Sequence, residues 1–283
     1  MKKIVFKLCS VFIVILMSLS LTTCDLLDAI TGGGAFIPST EEMVAALKEA
    51  LTVGSGDAGA ELSQKDAFYG NLARRIPLPP EAQKVSTSLN SALSNSVVSG
   101  PAGYVVRPLI NALISKFTNL LQAINASAED ASKQVGPIFA NAITSMTIND
   151  AITILKGDEG NEATEYLRET TLPPLVEAFA PVINTALDQP FVGNTSALMI
   201  WKDIIAEYKN IASNPVVSML GLFPPIENED IGVFILDKAL TAVFNEMGEV
   251  EKRIRDDPLG FLSDLFGGLS DAAAQVFNWA KQL

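Results

Sequence analysis

The sequence predicts an all-α fold, a single multi-helix domain of about nine to twelve helices. Three observations carry that expectation. Apolar residues recur at three- and four-residue spacing along most of the chain, as one buried face of a helix requires. No comparable stretch alternates apolar and polar with period two, the mark of a half-buried strand. Ala and Leu dominate the apolar runs, whereas strands favour β-branched and aromatic residues.

The first segment reads as an address. Lys2 and Lys3 give a positive start, and Lys7 precedes an apolar run from Leu8 to Leu21. That run suits the core of a secretory signal and falls short of the roughly 20 residues needed to span a bilayer. It ends in Leu21-Thr22-Thr23-Cys24, which resembles a lipoprotein signal, although Thr23 is bulkier than the usual residue before the cut. On this reading residues 1–23 are removed and Cys24 carries the lipid. Burial contributes about 0.8 kcal/mol per methylene, so two or three acyl chains would anchor the protein permanently. Two other readings stay open: an uncleaved anchor counted from Ile4, and an ordinary secretory cut after Ser20 with Ser18 and Ser20 as the small pair. The expected location is the cell envelope outside the cytoplasm, on a bacterial membrane. Asp25, next to the anchor, is a residue some envelopes read as a retention signal.

Cleavage would leave 260 of the 283 residues, with 17 basic against 32 acidic side chains. No basic stripe is present. Nucleic acid and anionic lipid surfaces both need Lys and Arg to neutralise phosphate, so nucleic acid is excluded as a partner. The only other cysteine, Cys9, lies within the signal. No disulfide and no Cys-ligated metal is expected, and the body must stand on its apolar core.

Residues 24–38 form the anchor and a tether containing Thr31-Gly32-Gly33-Gly34, and the helical domain occupies 39–283. Ser39 and Glu42 stand at capping-box spacing ahead of Met43, Ala46, Leu47 and Ala50. Residues 75–80, Arg-Ile-Pro-Leu-Pro-Pro, must be extended, and Pro80 opens the next helix. Ser94 to Gly103 reads as a polar loop. A stripe of Leu109, Leu113, Phe117, Leu120, Leu121 and Ile124 follows within Tyr104–Ala126. Leu175, Phe179, Val182, Ile183, Ala186 and Leu187 make a second stripe. A third runs through Ile231, Phe234, Ile235, Ala239, Leu240, Val243, Phe244 and Met247. The fourth contains Phe261, Leu262, Leu265, Phe266, Leu269, Val276 and Phe277, interrupted by Gly267-Gly268. Pro137 and Pro181 fall inside helical patterns, where a proline breaks or kinks the helix. Asn214-Pro215 and Phe223-Pro224-Pro225 mark further breaks.

The chemistry is bounded mostly by exclusion. The chain has no histidine, which removes Ser-His-Asp and Cys-His nucleophiles, zincin helices and His-ligated iron. No Ser stands three residues before a Lys, and no Gly-x-Ser-x-Gly elbow occurs. Gly54-Ser55-Gly56-Asp57-Ala58-Gly59 matches a dinucleotide fingerprint by letter, but no strand precedes it, so it reads as a turn between helices. Acidic clusters at Glu129-Asp130, Asp158–Glu162 and Glu227–Asp230 lack calcium-loop spacing and read as helix starts, where acids meet the helix dipole. Thr147 and Asp150 are placed for a second capping box. No cofactor is expected, and the residues point away from an enzyme. A carboxylate hydrolase would need two acids facing each other across a cleft, one raised in pKa by burial.

Several stretches resemble a family of bacterial exported proteins whose common domain is catalogued as of unknown function. They include Asp66-Ala67-Phe68-Tyr69, Ile76-Pro77-Leu78-Pro79, Ala128-Glu129-Asp130-Ala131, Gly136-Pro137-Ile138-Phe139 and Met146-Thr147-Ile148. They continue through Asp150-Ala151, Ile154-Leu155-Lys156-Gly157, Ala163-Thr164, Tyr166-Leu167, Asp237-Lys238-Ala239-Leu240 and Ile254-Arg255-Asp256-Asp257-Pro258. The resemblance covers roughly Thr40 to Pro258. Ser94–Gly103 and the tail beyond Pro258 look longer than the family pattern. The resemblance implies a helical, membrane-tethered extracytoplasmic protein, makes Pro137 and Pro181 shared architecture, and implies no activity. It marks Glu129, Asp130, Asp150, Lys156, Thr164 and Tyr166 as polar candidates, which capping and buried hydrogen bonding would also explain.

Two functions fit these expectations. One is a non-enzymatic envelope protein, held to the membrane by its N-terminal lipid, that binds a protein partner or maintains the envelope. The other is a carrier of a lipid or small apolar ligand in a cavity between helices. A cavity lined by Leu, Ile and Phe would favour the carrier, and an exposed apolar patch on a packed core the partner.

Overall fold

The computed structural model describes residues 38–157, 159–192, 194–257 and 270–281. The expected signal segment, Cys24, the expected glycine tether and most of the Phe-rich stripe near the end lie outside the described residues. Within them the fold is all-α. There are eleven α-helices, nine of them nine residues or longer. No single described helix is long and apolar enough to cross a membrane. The chain divides into two compact units, each assembled from separated segments. The first takes the described residues up to Ala60, Gln134–Leu175 and those from Val243 onward; the second takes Glu61–Lys133 and Val176–Ala242.

Helix α1 spans Thr40–Leu62 and starts at the expected capping box. The Ser39 N–H donates to Glu42 Oε2 at 2.7 Å, and the Glu42 N–H donates to the Ser39 hydroxyl at 3.2 Å. The glycine run at 54–59 is not a turn, because α1 continues through it. Each helical Gly costs about 1 kcal/mol against Ala. Packing explains Gly59: a Cβ there would lie 3.1 Å from the Gly136 nitrogen and 3.3 Å from Val135 Cβ. The glycine admits the start of another helix of the first unit at backbone distance.

That helix is α5, Val135–Ser145, which follows α2 (Pro80–Ser94), α3 (Ser96–Ser99) and α4 (Val106–Ser132). Pro137 stands in the first turn of α5, where the amide hydrogens have no partner within the helix, so proline starts this helix instead of bending it. Pro80 opens α2 as expected, after Pro79 in extended backbone. The polar loop at 94–103 is more ordered than its composition suggests. Asn95 Oδ1 accepts the Val97 N–H at 2.9 Å and caps α3, and residues Pro101–Gly103 form a 3₁₀ turn. A Cβ at Gly103 would overlap the Val98 carbonyl oxygen. Gly103→Ala is therefore expected to cost about 1–3 kcal/mol, the usual range for overpacking, read as a lower urea midpoint at unchanged slope.

Helix α4 buries Ile110, Leu113, Phe117, Leu120 and Ile124, whereas Leu109, counted with that stripe from spacing, is 49% exposed. It packs along α8, Ala197–Ala212, within the second unit. Helix α6 spans Ile148–Lys156, and α7 spans Glu162–Asp188. Helix α7 passes through Pro173, Pro174 and Pro181 without a break. All three prolines are exposed, as are Glu169, Thr170 and Glu177, whose carbonyls lose their donors. Water can take up those carbonyls, which is why the helix survives. Its buried stripe is Leu175, Phe179, Ile183 and Leu187.

A two-stranded hairpin, β1 (Pro190–Val192) with β2 (Thr195–Ser196), joins α7 to α8. At two and three residues these strands are too short to show alternation. After α9 (Pro215–Ser218) an extended strap lies on α8. Trp201 Nε1 donates to the Glu229 carbonyl, and the Tyr208 hydroxyl donates to the Pro224 carbonyl, both at 2.8 Å. Helix α10 (Gly232–Asp256) buries most of its expected stripe, with Phe234 only half-buried, and α11 spans Asp271–Lys281.

Candidate functional site

In the first unit, α10 presents Glu251 and Arg255 one turn apart, facing the start of α7. The buried Glu251 carboxylate accepts the Ala163 N–H at 3.0 Å, the Thr164 N–H at 2.8 Å and the Thr164 hydroxyl at 2.7 Å. Arg255 donates to the same carboxylate from Nε at 3.0 Å and from Nη2 at 2.6 Å. Arg255 Nη2 also reaches Glu162 Oε2 at 2.7 Å. Glu162 in turn accepts the N–H groups of Glu159 and Gly160. A helix N-terminus is an anion site by virtue of its unpaired amides and dipole. Here the protein's own carboxylates fill it, so the arrangement is a latch between α7 and α10. Burial draws the Glu162 carboxyl upward. The backbone N–H groups of Glu162 and Glu159, the Arg255 guanidinium and the Gly160 N–H outweigh it and hold the group below the usual range.

Thr147 and Asp150 form the expected capping box at the start of α6. The Thr147 N–H donates to Asp150 Oδ2 at 2.9 Å, and the Asp150 N–H donates to the Thr147 hydroxyl at 3.2 Å. These bonds to the Thr147 backbone and hydroxyl lower the Asp150 pKa, with the Lys48 charge assisting and slight burial opposing. Lys48 Nζ donates to the carbonyls of Thr144 and Met146 at the end of α5. Burial raises the Tyr166 hydroxyl pKa, and the Asp150 charge adds to it. Lys156 is exposed in the last turn of α6, where a cation suits the helix dipole.

Glu129 and Asp130 belong to the second unit. They were expected at a helix start, and they stand instead in the last turn of α4. The dipole is unfavourable there, so another cause holds Glu129. Its buried carboxylate accepts the Phe68 N–H at 3.3 Å and fastens the turn at 66–70, where Asp66 has a φ of 63°. Burial pushes its carboxyl up. The backbone N–H groups of Phe68, Asp66 and Tyr69 pull it down, the Asp66 charge adds to the rise, and the rise prevails. Asp130 is exposed and pairs with Lys133 at 2.7 Å. One turn before Glu129 stands Asn125, which apolar spacing does not single out. Its Oδ1 accepts the Ile76 N–H at 2.8 Å, and its Nδ2 donates to the carbonyls of Ile76 at 2.9 Å and Leu121 at 2.8 Å. The signal in the sequence is an amide standing with Leu121, Ile124 and Ala128 on one helix face.

The six polar candidates are divided between the two units. Asp150, Lys156, Thr164 and Tyr166 belong to the first unit, Glu129 and Asp130 to the second. Among the described residues, no group of three or more Asp or Glu could hold a metal ion.

Opposite pKa shifts give opposite pH dependences. Glu162 and Asp150 are lowered in the folded state, so they stabilise it above the ordinary carboxylate range and lose that as pH falls through their folded values. Glu129 is raised, so its contribution is present below the ordinary value and disappears as pH rises through its folded value. Urea midpoints measured from neutral pH downward should rise in the wild type relative to Glu129→Gln. At more acid pH they should fall relative to Glu162→Gln.

These latches and caps belong to an all-α protein in which Glu129, Asp150 and Thr164 fasten helices and loops. The chain matches the family described as Protein of unknown function (DUF4197) over residues 38–103 and 104–269, and it belongs to that family. The match takes in α1 through α10, and α11 lies beyond it. No curated protein and no solved structure matches the chain.

Proposed function

We propose that the protein is an exported lipoprotein, held to a bacterial membrane through Cys24, whose helical body is a non-enzymatic binding or envelope-maintenance module. The address rests on the Leu21-Thr22-Thr23-Cys24 ending of the leading apolar segment. The observation that carries the non-enzymatic reading is the use of the polar candidates. Glu129, Asp150 and Thr164 each spend their hydrogen bonds on backbone groups or on a neighbouring latch, as structural residues do. Metabolic labelling with a radioactive fatty acid tests the anchor. Label on the wild type and none on Cys24→Ser is the expected result, and an unlabelled wild type would remove the lipid from this reading.

A further inference from the structure

One end of the second unit carries exposed apolar side chains. Asn95 caps α3 there, the 3₁₀ turn follows, and Gly103 packs on the Val98 carbonyl. Arg107, in the first turn of α4, donates from Nη2 to the Ser99 carbonyl at 3.0 Å. Leu222 lies beside Ser94 and Asn95, which brings the turn after α9 to the same end. Tyr104 is 83% exposed, Val105 is 71% exposed, and Met219, three residues before Leu222, is 87% exposed. Val97 and Leu109 are exposed as well. Val105 and Leu109 stand one turn apart, next to the buried row of Val106, Ile110 and Leu113. The apolar face of α4 is thus wider at its start than the core covers. The charge pattern changes at this end too. The chain has 32 Asp and Glu, and none falls in residues 82–128 or 208–226, the two stretches that contribute this end.

We propose that this end of the second unit seats on a phospholipid bilayer. Tyr104, Val105, Leu109 and Met219 enter the interfacial layer, and Arg107 meets the phosphate of an anionic headgroup. A tyrosine suits that layer because its ring is apolar and its hydroxyl stays wet. An apolar protein surface would accept the same side chains. The missing carboxylates and the exposed Arg107 favour headgroup phosphates over it. The acidic body as a whole is repelled by an anionic bilayer, and this end is not. Apolar burial drives the contact and one cation adds to it, so the seating is shallow and reversible. The assignment rests on the exported, membrane-held reading and states which end of the second unit faces the bilayer.

The test uses the full mature chain with Cys24→Ser, so that no acyl chain contributes. It is floated with vesicles of roughly three parts phosphatidylcholine to one of phosphatidylglycerol. This chain should float with the vesicles, and adding Tyr104→Asp with Val105→Asp should lower its partition at least about tenfold. Arg107→Ala should lower it about fivefold on these vesicles and leave it unchanged on pure phosphatidylcholine. Leu72→Asp is the control. Leu72 is 82% exposed, but it lies between Phe68 and Ile76, which bond to Glu129 and Asn125 near the other end of α4. Roughly 30 Å of helix separates that end from Val105, so its partition should not change. No flotation at millimolar lipid overturns the proposal, as does an equal loss with Leu72→Asp. A dimer in sedimentation velocity that the paired substitution dissolves also overturns it, in favour of a second copy. Where circular dichroism shows the paired variant unfolded, Tyr104→Trp replaces it. Lipids brominated on the acyl chain should then quench fluorescence beyond that of Trp201 and Trp279, and no added quenching overturns the proposal. Flotation without a fatty-acid label on the wild type removes the anchor reading alone, and a label without flotation removes this one.

Discussion

Glu251→Ala is expected to destabilise the protein by about 3 kcal/mol or more, the scale for removing one partner of a buried charged pair. The substitution leaves the N–H groups of Ala163 and Thr164 and the Thr164 hydroxyl without their acceptor. Water cannot replace it cheaply, because Ala163 and Thr164 are both buried. Arg255 keeps Glu162 and is 30% exposed, so it loses less. Glu251→Gln retains one acceptor oxygen and adds an amide that repels Arg255, so its effect should be intermediate. Equilibrium urea denaturation reads both values. A Glu251→Ala midpoint equal to wild type would show that α7 and α10 are held by their apolar contacts alone.

Asn125→Leu carries the second large effect, about 2–4 kcal/mol, since it strands a buried N–H and a buried C=O of the same residue. Asn125 treats Ile76 as a neighbouring strand would, accepting its N–H and donating to its carbonyl. Leucine keeps the branching of the side chain but its two methyl groups are larger than the amide's oxygen and nitrogen, so overpacking adds to the lost hydrogen bonds. The loosened part is the extended segment before α2, with Ile76 at its centre. Limited proteolysis should cut the variant between residues 63 and 79 at a protease concentration that spares the wild type. A variant with unchanged stability and no new cleavage would place the hold on that segment in Phe68 and Ile76 burial.

The difference between what was legible and what was not follows sequence distance. The capping boxes at Ser39 with Glu42 and at Thr147 with Asp150 close within three residues, so local spacing exposes them. The Glu251 bond to Thr164 joins residues 87 positions apart, and nothing near either residue announces the other. Glycine gives the converse failure. Local rules read 54–59 as a turn, but the deciding neighbour is Gly136, in another segment of the first unit. The prolines of α7 follow the same logic. Their cost depends on whether the freed carbonyls meet water, which is a property of the folded surface. Helix stripes were legible because burial and spacing are two views of one face. Glu129-Asp130 was misplaced because an acidic pair has the same letters at either end of a helix.

The interleaving of the two units has a consequence for synthesis. Thr164 leaves the ribosome 87 residues before Glu251, so the first turn of α7 waits without its acceptor until the chain is nearly complete. The first unit also needs α1 from the beginning of the chain and α10 from near its end. No nascent fragment short of α10 holds all the parts of that unit, so its assembly is a late, long-range event.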